Sequence, residues 1–120
     1  NKVNSGISSA LNLAIEKVKT KYVALVDQDD CLVSECTNII LQYVEKNPSK
    51  SWFYTDEFLS SNPNENYINI QKNAFNKIEL HSNMYLNHLE IFNLDILGKH
   101  FYFDSKYDRF DQWVESQWIL

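Results

Sequence analysis

Three carboxylates lie within four residues of the sequence, directly after an apolar run. They are Asp27, Asp29 and Asp30, and the run is residues 22–26. Carboxylates this close repel one another unless a cation or a proton intervenes. Hard divalent ions such as Mg²⁺ and Mn²⁺ take oxygen ligands, often one or two protein carboxylates together with substrate phosphates. The spacing therefore predicts a metal–diphosphate site. The alternative is an acidic turn in which Asp30 or Ser34 caps the next helix.

Two other motifs also cluster aspartates. The aspartyl-phosphatase motif places Asp-x-Asp after a buried strand and expects Thr or Val two residues after the second Asp, where this sequence has Cys31. A calcium loop of the helix–loop–helix type needs Gly at its sixth position, which counted from Asp27 is Leu32. The calcium loop is therefore excluded, whereas the phosphatase remains an alternative.

The segments around the carboxylates alternate between helical and strand patterns. Apolar residues recur at three- and four-residue spacing over residues 5–19, which predicts a helix. The uninterrupted apolar run 22–26 is typical of a strand buried in a parallel sheet. A second helix is predicted from Ser34 to residue 46 and a second strand at 51–55, an order that indicates an α/β layered fold. In such folds ligands bind beyond the carboxyl ends of the strands, where Asp27 is placed.

The pattern after residue 59 is less regular. Residues 60–76 are polar and predict a long loop with a short strand at 67–70. The remaining predicted elements are a strand over 84–92 that contains His88, a helical turn at 94–97, a strand at 101–103 and a helix over 108–120.

Composition excludes several classes of protein. The 120 residues carry 11 Lys and Arg against 16 Asp and Glu, a net charge of −5, which argues against a nucleic-acid partner. The apolar runs are too short to span a bilayer. Cys31 and Cys36 fit neither a metal pair nor a disulfide framework, so we expect a reducing, cytoplasmic setting. Because the sequence begins at Asn1 and ends inside a helical pattern, we expect it to be a piece of a longer protein.

Five segments, taken in order, resemble glycosyltransferase family 2 of the GT-A fold, in its rhamnosyl- and galactosyl-type branch. They are N-x-G-x-x-x-A-x-N at 4–12, the strand ending in D-Q-D-D at 21–30, Y-T-D-E at 54–57, N-M-Y-L-N-H-L at 83–89 and D-S-K-Y-D-R-F-D at 104–111. The resemblance covers nearly the whole sequence. It implies a three-layer α/β/α fold of the Rossmann-like type, of which residues 1–120 are the central and C-terminal part of one domain.

The resemblance assigns donor-side roles to five residues. Asp27 and Asp29 match the pair that binds Mn²⁺ or Mg²⁺ at the diphosphate of a nucleotide sugar, with Asp27 also near the donor ribose. Asn4, Gly6 and Asn12 match the segment that borders the donor.

It also assigns acceptor-side roles. Asp108 matches the general base that takes the proton of the acceptor hydroxyl, and His88 matches a position near the acceptor, with a structural histidine as the alternative. Asp56 is a candidate substrate contact, and a solvated strand end is the alternative. Such an inverting transfer needs one base and one cation, with no covalent intermediate.

The implied activity is transfer of a hexose or deoxyhexose from a nucleotide-diphosphate sugar to a glycan or lipid-linked acceptor, as in bacterial polysaccharide biosynthesis. Peripheral membrane association of the full-length protein is compatible with this activity. The family's first strands, with their P-x-Y/F-N segment, are absent, so we expect the fragment itself to be inactive. Ser105 and Tyr107 replace the usual Gly and Glu. The alternative is a non-catalytic domain of the same fold that binds nucleotide sugars.

Overall fold

The structure is a computed structural model that describes residues 3–60, 67–83, 85–86, 88–98 and 101–107. The helices are α1 (Ile7–Ile15), α2 (Cys36–Lys46), α3 (Lys77–Ser82) and α4 (Leu94–Leu97), with a 3₁₀ turn at Ser105–Tyr107. The strands are β1 (Tyr22–Leu25), β2 (Trp52–Tyr54), β3 (Glu57–Leu59), β4 (Ile68–Ile70) and β5 (Glu90–Asn93). Within the described ranges, no helix is both long enough and apolar enough to cross a membrane.

Strand β5 is the centre of a three-stranded sheet with the order β1-β5-β2. It runs antiparallel to both neighbours, and Phe92 lies opposite both Val23 and Trp52. Strands β1 and β2 therefore point in the same direction but do not touch. The sequence predicts parallel neighbours for β1, and the structure instead pairs it with a strand from the last third of the chain. All four β5 residues are buried, whereas β1 is only half-buried, so β5 is the interior strand.

Alternate residues of β5 pack on opposite faces of this sheet, as the pleat requires. Ile91 packs in one cluster with Val44 of α2. Phe92 stacks on Trp52, with ring centroids 6.2 Å apart and planes 6° from parallel, and contacts Phe101 at 4.9 Å. The sheet thus lies between helix α2 and an aromatic segment from the C-terminal part of the chain.

Polar residues hold both ends of β5 in register. Glu90 is 2% exposed, and its Oε2 accepts a hydrogen bond from Trp52 Nε1 at 2.7 Å. At the other end, the Nδ2 group of Asn93 donates to the carbonyl of Lys50 at 3.3 Å. Buried polar groups need partners, so these bonds favour one register of β5 against β2.

A second, two-stranded sheet pairs β3 with β4, with Phe58 opposite Asn69. The predicted short strand at 67–70 is confirmed as β4. Strand β4 thus lies within the polar segment 60–76 and joins that segment to β3.

Three predicted elements differ from the structure. Helix α1 ends at Ile15 rather than Lys19, and residues 101–103 form no strand. The strand predicted over 84–92 begins only at Glu90, because His88 has φ 68°, outside the range that a β-strand allows. The helix predicted over 108–120 lies outside the described residues.

Candidate functional site

The turn after β1 brings two of the three clustered carboxylates to the same side. The carbonyl of Asp27 accepts a hydrogen bond from the N–H of Asp30 at 3.1 Å, which closes a four-residue turn. In such a turn the first and fourth residues lie side by side, whereas Asp29 occupies one of the two corner positions. The local backbone therefore pairs Asp27 with Asp30.

His88 meets these two carboxylates because β5 is antiparallel to β1. Leu25 pairs with Glu90, so two further steps of the register bring Asp27 opposite His88. The Nδ1 atom of His88 lies 3.1 Å from Asp30 Oδ2 and 3.9 Å from Asp27 Oδ2. Its left-handed backbone is uncommon for a residue with a side chain, and such strained conformations cluster at functional sites.

Strand β2 approaches the same point from the other edge of β5. Tyr54 pairs with Glu90, so the chain that follows β2 also arrives beside His88. Glu57 Oε2 lies 3.7 Å from Nε2 of His88 and 3.2 Å from Nζ of Lys72. The imidazole is thus placed between a pair of aspartates on its Nδ1 side and a glutamate on its Nε2 side.

Lys72 anchors the glutamate side of this group. Its side chain is 3% exposed, and its backbone N–H donates to Asp56 Oδ1 at 2.8 Å. Asp56, a predicted substrate contact, therefore bonds to the backbone that follows β4. The side chains of Asp27, Asp30 and Glu57 are three carboxylates, and Lys72 is the cation paired with one of them. A divalent cation would neutralise the excess negative charge of the group.

Asp27, Asp30 and His88 could hold a metal ion. Each offers one ligand atom, and the three atoms lie within 4.8 Å of one another. All three side chains are partly open to solvent, so water or phosphate oxygens have access to the remaining coordination positions. Among the residues that the structure describes, Asp29 is not part of this group. The residue types and spacing fit a divalent cation.

The predicted donor-side residues of the N-terminal segment lie around helix α1. Asn4 Oδ1 accepts a hydrogen bond from the N–H of Gly6 at 3.2 Å, and Gly6 has φ 88°, a conformation that favours glycine. Asn12 Nδ2 donates to the carbonyl of Phe103 at 2.8 Å, and the N–H of Phe103 donates back to Asn12 Oδ1 at 2.7 Å. Asn12 therefore ties α1 to the C-terminal segment.

One predicted residue cannot be placed, and three residues of the group were not predicted as site residues. Asp108, the predicted general base, lies outside the described residues. Asp30 and Glu57 were visible in the D-Q-D-D and Y-T-D-E motifs, but spacing alone left a capping role for Asp30 and a solvated strand end for Glu57 as equal alternatives. No local signal pointed to Lys72, which reaches the group only through the β3–β4 hairpin.

Comparison with known proteins identifies the family. The family model described as glycosyl transferase family 2 matches residues 1–104, which include every residue of the group around His88. The chain belongs to glycosyl transferase family 2. The predicted family and the predicted fold class, a partial α/β GT-A domain, are thereby confirmed. Membership of family 2 places this domain among the glycosyltransferases. It gives no support to the phosphatase alternative.

Comparison with a similar protein shows how much of a longer protein the chain matches. The chain is 30% identical over 90 residues to the uncharacterized protein y4gI of Sinorhizobium fredii, an alignment that covers 75% of this chain and 10% of that protein. The aligned part of the chain spans about a tenth of the length of this relative. No solved structure matches the chain.

Proposed function

We propose that the full-length protein transfers a hexose or deoxyhexose from a nucleotide-diphosphate sugar to a glycan or lipid-linked acceptor, with inversion. The observation that carries the proposal is the meeting of Asp27, Asp30 and His88 at the carboxyl end of β1. Ligands of α/β sheets bind at such an end, and family 2 membership supplies the class of reaction.

The cation is proposed to bind at Asp27, Asp30 and His88. A Mn²⁺ or Mg²⁺ ion there would hold the diphosphate and stabilise the negative charge of the leaving group. The imidazole nitrogen favours Mn²⁺, because Mg²⁺ prefers oxygen ligands and affinity for nitrogen ligands rises along the transition series. Asp29, the second member of the metal pair predicted from the sequence, is the rival to Asp30 as ligand.

The other roles follow the family resemblance. Asp108 is proposed to take the proton of the acceptor hydroxyl, and Asn4 and Gly6 are proposed to border the donor. No residue need act as a nucleophile, because an inverting transfer forms no covalent intermediate. We place the reaction in the cytoplasm, at or near the inner face of the membrane, and the thiols of Cys31 and Cys36, both free, support a reducing compartment.

The test compares two neighbouring substitutions of the same kind, Asp30→Asn and Asp29→Asn. Mn²⁺ alone is titrated into the full-length protein, and free Mn²⁺ is measured by electron paramagnetic resonance. We expect Asp30→Asn to weaken binding at least about tenfold, as loss of a metal contact does, and Asp29→Asn to change it little. Weaker Mn²⁺ binding in Asp29→Asn than in Asp30→Asn would make Asp27 and Asp29 the ligand pair. If both variants bound Mn²⁺ as tightly as the unaltered protein does, the cation site would lie elsewhere.

Turnover separates the enzyme from a non-catalytic domain of the same fold. The full-length protein is incubated with Mn²⁺ and a panel of uridine- and thymidine-diphosphate sugars, and release of the nucleoside diphosphate is measured. We expect release that chelation of the metal with EDTA abolishes. Metal-dependent binding of these donors without any release would instead indicate the non-catalytic domain.

A further inference from the structure

The end of the β1-β5-β2 sheet that lies opposite the group around His88 is rich in lysine. Helix α1 ends shortly before β1 begins, and helix α2 ends shortly before β2 begins, so both connections lie at this end. The N–H of Leu94 donates to the carbonyl of Lys21 at 2.8 Å, and Asn93 Nδ2 donates to the carbonyl of Lys50 at 3.3 Å. Because the two connections flank the end of β5, they lie about 10 Å apart, twice the spacing of neighbouring strands. We call this surface the basic end, and its lysines are Lys17, Lys19, Lys21, Lys46 and Lys50.

The basic end carries an excess of positive charge. All five of its lysines are exposed, and they are five of the 11 Lys and Arg residues of the sequence. Among the described residues, none of these five lysines forms an ion pair. The same segments contain three exposed carboxylates, those of Glu16, Glu45 and Asp95. Five positive charges therefore stand against three negative ones.

Negative charge collects at the other end of the same strands. Five carboxylates follow the last residues of β1 and β2, and they are Asp27, Asp29, Asp30, Asp56 and Glu57. The six steps of chain from Lys21 to Asp27 separate the two ends by up to about 20 Å. Charges are screened over about 8 Å at physiological ionic strength. A partner at the basic end therefore meets the lysines and not the net charge of the chain.

The residue types of the basic end favour an anionic lipid surface over an acidic protein. Lysine is depleted in protein–protein interfaces, where arginine and aromatic side chains are enriched. Clusters of lysines attract anionic headgroups by their charge, without a fixed geometry. Lipid binding also gains from apolar side chains that enter the interface, and Ile96 of α4, just beyond the end of β5, is 47% exposed.

We propose that the basic end docks on a membrane surface that contains anionic phospholipid. Such a surface attracts the lysines and repels the carboxylates at the opposite end, so both charges orient the domain in the same sense. The group around His88 then faces away from the lipid. This consequence rests on the proposed function and deepens it, because the acceptor would react at the end of a glycan that extends away from the bilayer.

The test measures binding of the full-length protein to vesicles, without donor or metal. Sedimentation compares vesicles of phosphatidylcholine with mixed vesicles of phosphatidylcholine and phosphatidylglycerol, and soluble polyglutamate serves as an acidic polypeptide. The variant combines Lys19→Gln with Lys50→Gln, two exposed positions outside any helix or strand. The matched control combines Lys77→Gln with Lys106→Gln, which removes the same charge from exposed lysines outside the basic end.

We expect the unaltered protein to bind the mixed vesicles more tightly than the neutral ones. The basic-end variant should weaken that binding about tenfold or more, because each lysine near an anionic surface adds to the attraction, and the control should change it less than about threefold.

The proposal is overturned if both kinds of vesicle bind alike or if the two double variants weaken binding equally. It is also overturned if the basic-end variant loses binding to polyglutamate and not to vesicles, which would make the partner an acidic protein. None of these results depends on metal binding or turnover. Failure of the proposed function would therefore be seen separately, in the assays of Mn²⁺ binding and nucleotide release.

Discussion

At the scale of single residues, the backbone turn decides which aspartates can act together. Asp27, Asp29 and Asp30 are equivalent in type, but the bond from the N–H of Asp30 to the carbonyl of Asp27 pairs the first with the last. The side chain of His88 contacts this pair, and its backbone has a positive φ, which β-strands do not adopt. The group is therefore specified by two local backbone features as much as by side-chain chemistry.

Glu57 is expected to orient His88 for metal binding. A histidine that binds a metal through one nitrogen commonly donates its other N–H to a carboxylate, and loss of that partner costs about 10- to 100-fold in metal affinity. Glu57 Oε2 is buried, lies 3.7 Å from His88 Nε2 and is held by Lys72. We expect Glu57→Gln to weaken Mn²⁺ binding within that range, measured by electron paramagnetic resonance.

Asp56→Asn is the control for this prediction. It removes the same charge from the neighbouring position, where the carboxylate contacts the backbone of Lys72 rather than His88. Equal loss of affinity in both variants would mean that Glu57 acts only by its charge. Movement of the His88 ring ¹⁵N signals in Glu57→Gln alone would support an orienting role.

Tyr54 makes stability depend on pH in the alkaline range. Burial raises its pKa, and Tyr85, Asp56 and Glu79 add to the rise. The folded state therefore holds the phenolic proton more tightly, so this contribution is complete below pH about 10 and is lost as pH rises through the raised pKa. We expect Tyr54→Phe to reduce the fall in unfolding free energy above pH about 10, measured by urea titration. The same reduction in Tyr43→Phe, an exposed position, would contradict this assignment.

At the scale of elements, the order of strands decides what meets at the site. Because β5 lies between β1 and β2 and runs against both, the carboxyl ends of both outer strands meet the start of β5. A sheet with β1 next to β2 would leave His88 elsewhere. The β3–β4 hairpin then adds Glu57 and Lys72 from outside this sheet.

Asn12 is expected to stabilise the contact between α1 and the C-terminal segment. Its side chain makes two hydrogen bonds with the backbone of Phe103, and Asn12→Ala leaves both backbone groups unpaired. We expect a loss of about 1–3 kcal/mol in unfolding free energy, measured by urea denaturation. Asn38→Ala is the matched control, because it makes the same change within a helix at an exposed position. A loss in Asn38→Ala as large as in Asn12→Ala would contradict the role of the Phe103 contact.

At the scale of the whole molecule, one site is assembled from three distant parts of the chain. Asp27 and Asp30 come from the first quarter, Glu57 and Lys72 from the middle, and His88 from the last third. The pairing of β5 with β1 joins the first part to the last, and Glu57 follows β2, which also pairs with β5. All four residues of β5 are buried. Loss of packing around β5 would therefore disperse the site.

Asp108 is predicted to be the general base of the full-length enzyme. Loss of a general base costs about 10²–10⁴ in rate, so Asp108→Asn should lower turnover by that factor and leave donor binding nearly unchanged. Steady-state release of the nucleoside diphosphate and calorimetry with the donor measure the two quantities. Asp111→Asn, three residues further along the same motif, is the control. If Asp111→Asn lost turnover and Asp108→Asn did not, the general base would be Asp111 rather than Asp108.

The sequence by itself determined the family, the α/β class and the acidic turn at the end of β1. These follow from local patterns: apolar periodicity, an uninterrupted strand and five short motifs in order. Only the tertiary structure decided that Asp30, rather than Asp29, lies with Asp27 and His88, and that Glu57 and Lys72 complete the group. The pairing of β5 with β1 joins residues 58 positions apart, Asp30 and His88, and no local pattern encodes such a contact. Long-range strand pairing is chosen by which side chains can be buried together, and here Ile91 and Phe92 made β5 the interior strand.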